Sequence, residues 1–268
     1  MNRSALLLGF CLVAANGIAA PVVALAHVES QRWDQKLPLA VFGGTEQKLD
    51  LGIGGIDLKQ ATLHGDLFQV AGSLAMPLGK SVKIPGPVDL PGEARFTVSF
   101  PEVKSEAEIL LRLSAVNPAG AALPLGEMHF AVFPRELTSQ IVSLLSPLPN
   151  GDTRLVVFGT GRKLRPALQA LHVPFEDVGD ELPGRFAPER IYFGDIATHD
   201  EQQQAHDRSQ GARIALFSSD DSLLPGVFEN RGADGTFILV TLPVLDTLPN
   251  NPRAQLVLLK VIQSLTSA

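Results

Sequence analysis

The sequence predicts two domains in series, a β-sandwich followed by an α/β domain with a mainly parallel sheet. Three observations carry that reading. Up to about Pro134, apolar and polar residues alternate at every second position, the period of strands with one buried face. Beyond it, continuous apolar runs alternate with stretches of helical spacing. Between the two regimes lies one amphipathic stretch, broken by "PLPNGD". A chain of 268 residues has room for both domains.

The first 26 residues read as an export leader. "MNR" is a short basic start, "ALLLGFCLVA" an apolar middle, and Ala24-Leu25-Ala26 a small-x-small cleavage site. The earlier "IAAP" would place Pro21 directly after the cut, and the expectation is cleavage after Ala26. The alternative is an uncleaved anchor, since Leu6–Ala26 nearly spans a bilayer. Asn16, Gly17 and Pro21 within it favour cleavage. The expected mature chain starts near His27 and is periplasmic or secreted, with no stable membrane span. Cys11 is the only cysteine, and Phe10 before it is too large for a lipoprotein cleavage pattern. The mature chain then has no disulfide, no cysteine metal site and no cysteine nucleophile. A net charge of −6 without a Lys/Arg run disfavours nucleic acid and anionic membranes as partners.

Residues 27–135 read as an Ig-like β-sandwich. "ARFTVSF" sets Phe96, Val98 and Phe100 against Arg95, Thr97 and Ser99, while Ile109, Leu111 and Leu113, then Met128, Phe130 and Val132, keep the same phase. "GIGG", "IPGP", "LPG" and "NPAG" are expected to separate short strands. Residues 136–152 form a helical connector, with Leu137, Ile141, Leu144 and Leu145 on one side.

Residues 153–268 alternate strand and helix. "RLVVFG" is a strand covered on both faces, followed by a helix over Lys163–Leu171 whose Pro166 falls in the first turn. "VPFEDVG", "RIYFGDI", "ARIALFSS" and "GTFILVTLPV" are further strands. "DEQQQAHDRSQG" is a polar helix ended by Gly211, and "NPRAQLVLLKVIQSL" a closing amphipathic helix with Pro252 near its start. Buried strands alternating with helices give a doubly wound sheet.

This order of elements, with the ending "GTFILVTLPVLDTLPNNPRAQLVLLKVIQSL", resembles the class I glutamine-amidotransferase-like branch of the flavodoxin-like folds, in the form appended to exported bacterial proteins behind an Ig-like domain. The resemblance covers about the last 115 residues. Catalytic members use a cysteine on a strand-to-helix elbow with a His and a Glu after a late strand. This chain has no mature cysteine and "TLPVLD" holds neither partner, so the resemblance implies a member without that chemistry and carries over no site residue.

Candidate sites follow from the strand ends. In "FGTGRKL", a strand runs into Gly159, Thr160 and Gly161 and then a helix, so backbone N–H groups at the helix start would attract an anion, with Arg162 and Lys163 beside it. Glu176 and Asp177 end the next strand, but Leu164 stands where G-x-G-x-x-G needs glycine. A tight turn explains both glycines without a ligand. Asp195 after "YFG", and Asp220 and Asp221 in "FSSDDS", are candidate acid/base carboxylates, against a reading of Ser218 and the aspartates as caps. His199 and His206 lie about two helical turns apart, too far for one ion, so no metal and no cofactor are expected. His64 and Asp66 flank a turn, and Trp33 reads as a core or docking residue.

The functional expectation is an exported, non-catalytic binding or accessory protein of the bacterial envelope, partnered by another envelope protein or a carbohydrate. The alternatives are a hydrolase using Asp195, Asp220 and Asp221, or a small-molecule or nucleotide binder at Gly159–Lys163.

Overall fold

The computed structural model describes residues 21–25, 34, 36–79, 82–84, 86–208, 211–218, 225–232 and 235–267. Residues 1–20 of the expected leader, with Cys11, and also His27, Trp33, Asp220 and Asp221, lie outside the described residues. The chain is rich in β-structure and divides into two compact units. No helix among the described residues is long and apolar enough to cross a membrane.

The first unit is antiparallel throughout and is built on Gly43–Val132. The strands in chain order are β1 (Val22–Leu25), β2 (Leu39–Phe42, which belongs to the second unit), β3 (Glu46–Ala71), β4 (Leu74–Pro77), β5 (Val82–Lys83), β6 (Val88–Ser99), β7 (Ala107–Val116) and β8 (Ala122–Phe133). One strand organises the rest. The first part of β3 pairs with β1 and β6, and its second part with β4 and β7. Register shifts between Ile53 and Ala61 mark the change of partners.

"GIGG" is therefore not a turn between strands: Gly52–Gly55 lie inside the 26-residue β3. "LPG" likewise lies inside β6, whereas "NPAG" does turn the chain from β7 into β8, closed by the Asn117 N–H on the Ala121 carbonyl at 3.0 Å. The alternating residues fill the core as the period required. Phe96, Val98, Ile109, Leu111, Leu113, Phe130 and Val132 are fully buried, and Phe100 meets Phe130 with ring centroids 5.0 Å apart.

The second unit holds Phe133–Ala268 and takes back Gln31–Phe42. Its further elements are α1 (Leu137–Leu144), β9 (Leu155–Phe158), α2 (Leu164–Ala170), β10 (Glu176–Asp177), β11 (Ile191–Ile196), α3 (His199–Arg208), β12 (Arg213–Ser218), β13 (Val227–Gly232), β14 (Gly235–Val240) and α4 (Pro252–Thr266). The six-stranded sheet has the order β10-β9-β11-β12-β14-β13. All neighbours are parallel except β13, which runs antiparallel to β14 along the edge. Every residue of β9 and β11 is buried, which explains the apolar runs Leu155–Phe158 and Ile191–Phe193. On one face Val156, Phe158, Tyr192, Ile196, Ile214 and Leu216 pack with Ala205 of α3. α4 lies against β12 and β14. It starts where expected, with Pro252 in its first turn and the Asn251 side chain accepting the Arg253 N–H at 2.9 Å.

Two further features differ from the sequence expectation. The helix expected as a connector belongs to the second unit, where the Thr138 hydroxyl donates to Gln255 of α4 at 2.9 Å. The stretch before β2, expected within the sandwich, is also held there. The buried Asp34 carboxylate accepts from Arg253 Nη1 at 2.6 Å, and Arg253 Nη2 donates to the Pro38 carbonyl at 3.0 Å. Asp34 is fully enclosed, and removing Arg253 would strand its charge, so the pair fixes this stretch on the start of α4.

Candidate functional site

The anion seat expected at Gly159–Lys163 exists and is filled by the protein itself. β9 ends at Phe158, and the chain turns at Gly159 with φ +105°. The Gly161 N–H donates to the Asp195 carbonyl at 2.8 Å. The Asp195 carboxylate, buried at the end of β11, accepts the N–H groups of Lys163 and Leu164 at 2.8 and 2.9 Å. These are the donors at the start of α2 that an external anion would have used.

Both glycines are explained by this docking. A Cβ at Gly159 would strike the Asp195 backbone, and one at Gly161 would overlap its carboxylate. The ligand reading of Gly159, Thr160, Gly161, Arg162 and Lys163 is corrected accordingly: the turn closes on a carboxylate from the neighbouring strand. The Lys163 ammonium pairs with Asp246 at 2.8 Å. Asp195 is corrected with it, because its carboxylate serves the α2 start and is not offered to solvent.

Arg165, which the sequence did not single out, locks the same corner. Its Nε and Nη2 grip the Asp177 carboxylate at 2.9 and 3.0 Å. Nη1 donates to the carbonyls of Gly159 and Gly161 at 2.9 and 3.3 Å, and Nη2 to that of Gly179 at 2.8 Å. All five guanidinium N–H bonds are thereby used. The Arg165 guanidinium, followed by the Gly179 N–H, holds the Asp177 carboxyl below its ordinary range. Asp177 is thus a structural anchor in this turn.

Beside this corner a cleft of about 300 Å³ opens at the carboxyl ends of β9 and β11. From β9 the chain crosses by α2 to β10 on one side, then returns to β11 on the other. This is the point where strand order reverses, and open α/β sheets hold their ligands there. Phe158, Ile196 and Leu182 supply an apolar lining, and Asp180, Glu181, Gln204 and Arg208 a polar one.

Glu201 also reaches the cleft, but both its oxygens are committed. One accepts the Thr160 hydroxyl at 2.8 Å, the other the N–H groups of Ala197 and Thr198 at 2.9 and 3.1 Å. Burial pushes its pKa up, and the Thr160 hydroxyl with those two N–H groups outweighs that effect, so the carboxyl is held below its ordinary value. Thr198 accepts the Glu201 N–H in return at 3.3 Å, completing a reciprocal cap on α3.

The remaining candidates disperse. Glu176 pairs with Arg190, and His206 lies edge-on to Phe237 with ring centroids 4.8 Å apart. Ser218 is buried at the end of β12. No group of three or more His, Asp and Glu among the described residues is placed to hold a metal ion. The cleft itself had no motif to announce it. Its walls come from the 180–182 loop and the exposed side of α3, brought together only by the crossover.

No protein-family model matches the sequence, and no curated protein does. Solved structures match at low similarity. One is murine CRIg, at 10% identity and TM-score 0.27, over 44% of this chain and 99% of that one. Another is the SrpA adhesin of Streptococcus sanguinis, at 11% identity and TM-score 0.27, over 84% and 89%. A third is a family 123 glycoside hydrolase from Clostridium perfringens, at 10% identity and TM-score 0.29, over 59% of this chain and 32% of that one. Similarity at this level carries no argument about activity.

Proposed function

We propose that this chain is an exported binding or accessory protein of the bacterial envelope whose second unit holds a small hydroxyl-rich ligand, a carbohydrate, in the cleft over β9 and β11. The first unit is read as Ig-like. The second is read as flavodoxin-like and related to amidotransferase-like domains that lack the Cys, His and Glu of the catalytic members. The strand order around β9 and the burial of both sheet faces support that reading.

The observation that carries the functional reading is the division of labour at the crossover. The backbone donors that would hold a phosphate are occupied by Asp195, and the adjacent cleft offers side-chain acceptors and donors beside apolar surface. That combination suits a neutral ligand with many hydroxyls and an apolar ring face better than a nucleotide. The carboxylate-hydrolase alternative loses support, since Asp195 is buried and doubly bonded.

A thermal-shift panel of mono- and oligosaccharides, sugar phosphates and nucleotides tests the reading. A carbohydrate at a hundred times its Kd adds about 2.7 kcal/mol of stability, and Asp180→Asn with Glu181→Gln abolishes the shift. Stabilisation by nucleotides or sugar phosphates alone returns the site to the turn. No shift with any carbohydrate, together with no reproducible partner in a pull-down from envelope extract, defeats the proposal.

A further inference from the structure

We propose that the leader is cut between Ala19 and Ala20, seven residues earlier than the sequence alone suggested, so that Val22–Leu25 remains in the mature protein as a working strand. The inference rests on the export reading above and deepens it by naming the scissile bond.

β1 is placed as part of the first unit's sheet. It runs antiparallel to β3 with Val22 opposite Gly54, Val23 opposite Ile53, Ala24 opposite Gly52 and Leu25 opposite Leu51. The other edge of β3 is already taken at this level by β6, which sets Glu93 opposite Gly52 and Gly92 opposite Ile53. Residues Leu51–Gly54 thus form an inner segment only while β1 is present. Without β1 their outward N–H and C=O groups become a bare edge, with glycine at 52 and 54 and no side chain there to shield it.

Val23 also lies close to β8. It is half-buried, and its Cγ2 lies 3.5 Å from where a Cβ at Gly126 of β8 would stand. A cut after Ala26 would discard the strand and the edge protection together.

The sequence accommodates the earlier cut. Gly17 and Ala19 stand three and one residues before the Ala19–Ala20 bond, the small-x-small pattern a leader peptidase accepts. Pro21 then falls second after the cut rather than first, which removes the objection to cutting after Ala20. The apolar run ending at Ala15 has the length of a leader's core, and Asn16–Ala19 forms a short polar-to-small exit. A cut after Ala26 would instead require Pro21, Val22 and Val23 to serve as that exit.

Intact mass and N-terminal sequencing of the full chain, expressed with its own leader and recovered from a Gram-negative periplasm, decide the matter. The expected mature protein begins at Ala20. Ala19→Gln abolishes that start, whereas Ala26→Gln leaves it in place. A periplasmic protein beginning at His27, or at any residue other than Ala20, overturns the inference and leaves export standing. So does a block of processing by Ala26→Gln. A full-length chain confined to the cytoplasm overturns the inference and the export reading together.

Discussion

Two neighbouring strand-to-helix turns solve the same problem by different means. Each must satisfy the N–H groups at a helix start and deliver the chain from a buried strand to the surface. After β11, α3 is capped locally: Thr198 and Glu201, three residues apart, exchange hydrogen bonds. After β9, α2 is capped from a distance, by Asp195 some thirty residues further along the chain. The two are joined where Thr160 of the first turn donates to Glu201 of the second. A local cap is formed by the helix that needs it. A remote cap exists only once β9 and β11 are paired, so it ties the turn to the sheet and fills the seat a ligand would take.

Substitutions that separate these two modes should differ in size. The largest effect is expected from Gly161→Ala, whose methyl overlaps the Asp195 carboxylate. It adds an overpacking cost of about 1–3 kcal/mol to the loss of charge-assisted bonds worth about 1.5–3 kcal/mol. Urea unfolding should show a loss of roughly 4 kcal/mol, and a loss below about 1 kcal/mol would mean the carboxylate is not needed there.

Next comes Asp195→Ala, which strands the Lys163 and Leu164 N–H groups and should cost about 3 kcal/mol. Hydrogen exchange should localise it, with α2 losing protection before α3. Simultaneous loss in both helices would show that the two turns are one unit. Thr198→Ala removes only the local cap, at about 1 kcal/mol, and should loosen the first turn of α3 without affecting α2.

The smallest effect is in the response to acid. Glu201 and Asp177 are both held below their ordinary carboxyl values in the folded chain. The unfolded chain then binds more protons than the folded one in this range. The associated stability is complete above the unfolded values, about 4, and is lost as pH falls through the folded ones. Urea midpoints measured from pH 6 to pH 3 should fall accordingly. Thr160→Val removes one donor from Glu201 and should flatten that fall slightly, while leaving the midpoint at pH 6 less affected than Thr198→Ala does.

How far the sequence could be read follows the same local–remote divide. Strands β9, β11, β12 and β14 were legible because each carries an apolar run of three or more residues, buried throughout in β9 and buried at alternate positions in β14. α4 was legible because Asn251, Pro252 and the apolar period all lie within one segment. β13 was not: "VFENRG" mixes Glu229 and Arg231 with a half-exposed Phe228, as an edge strand with a single neighbour can. The turn glycines were legible as a tight bend as well as an anion seat, but nothing near them identified Asp195 as the group they admit. Arg165 and Asp34 were invisible for the same reason, since an arginine on a helix and an aspartate in a loop have no periodic signature.

The sequence by itself determined the two structural regimes and most of the strands and helices, because each depends on residue type, or on periods that neighbouring residues set among themselves. Which carboxylate caps α2, where the cleft opens, that β3 runs unbroken through its glycines and that Val22–Leu25 belongs to the sheet were decided only by the tertiary structure. Those outcomes depend on partners brought together by strand pairing and crossover, and the free energy of such contacts is not written in either segment alone.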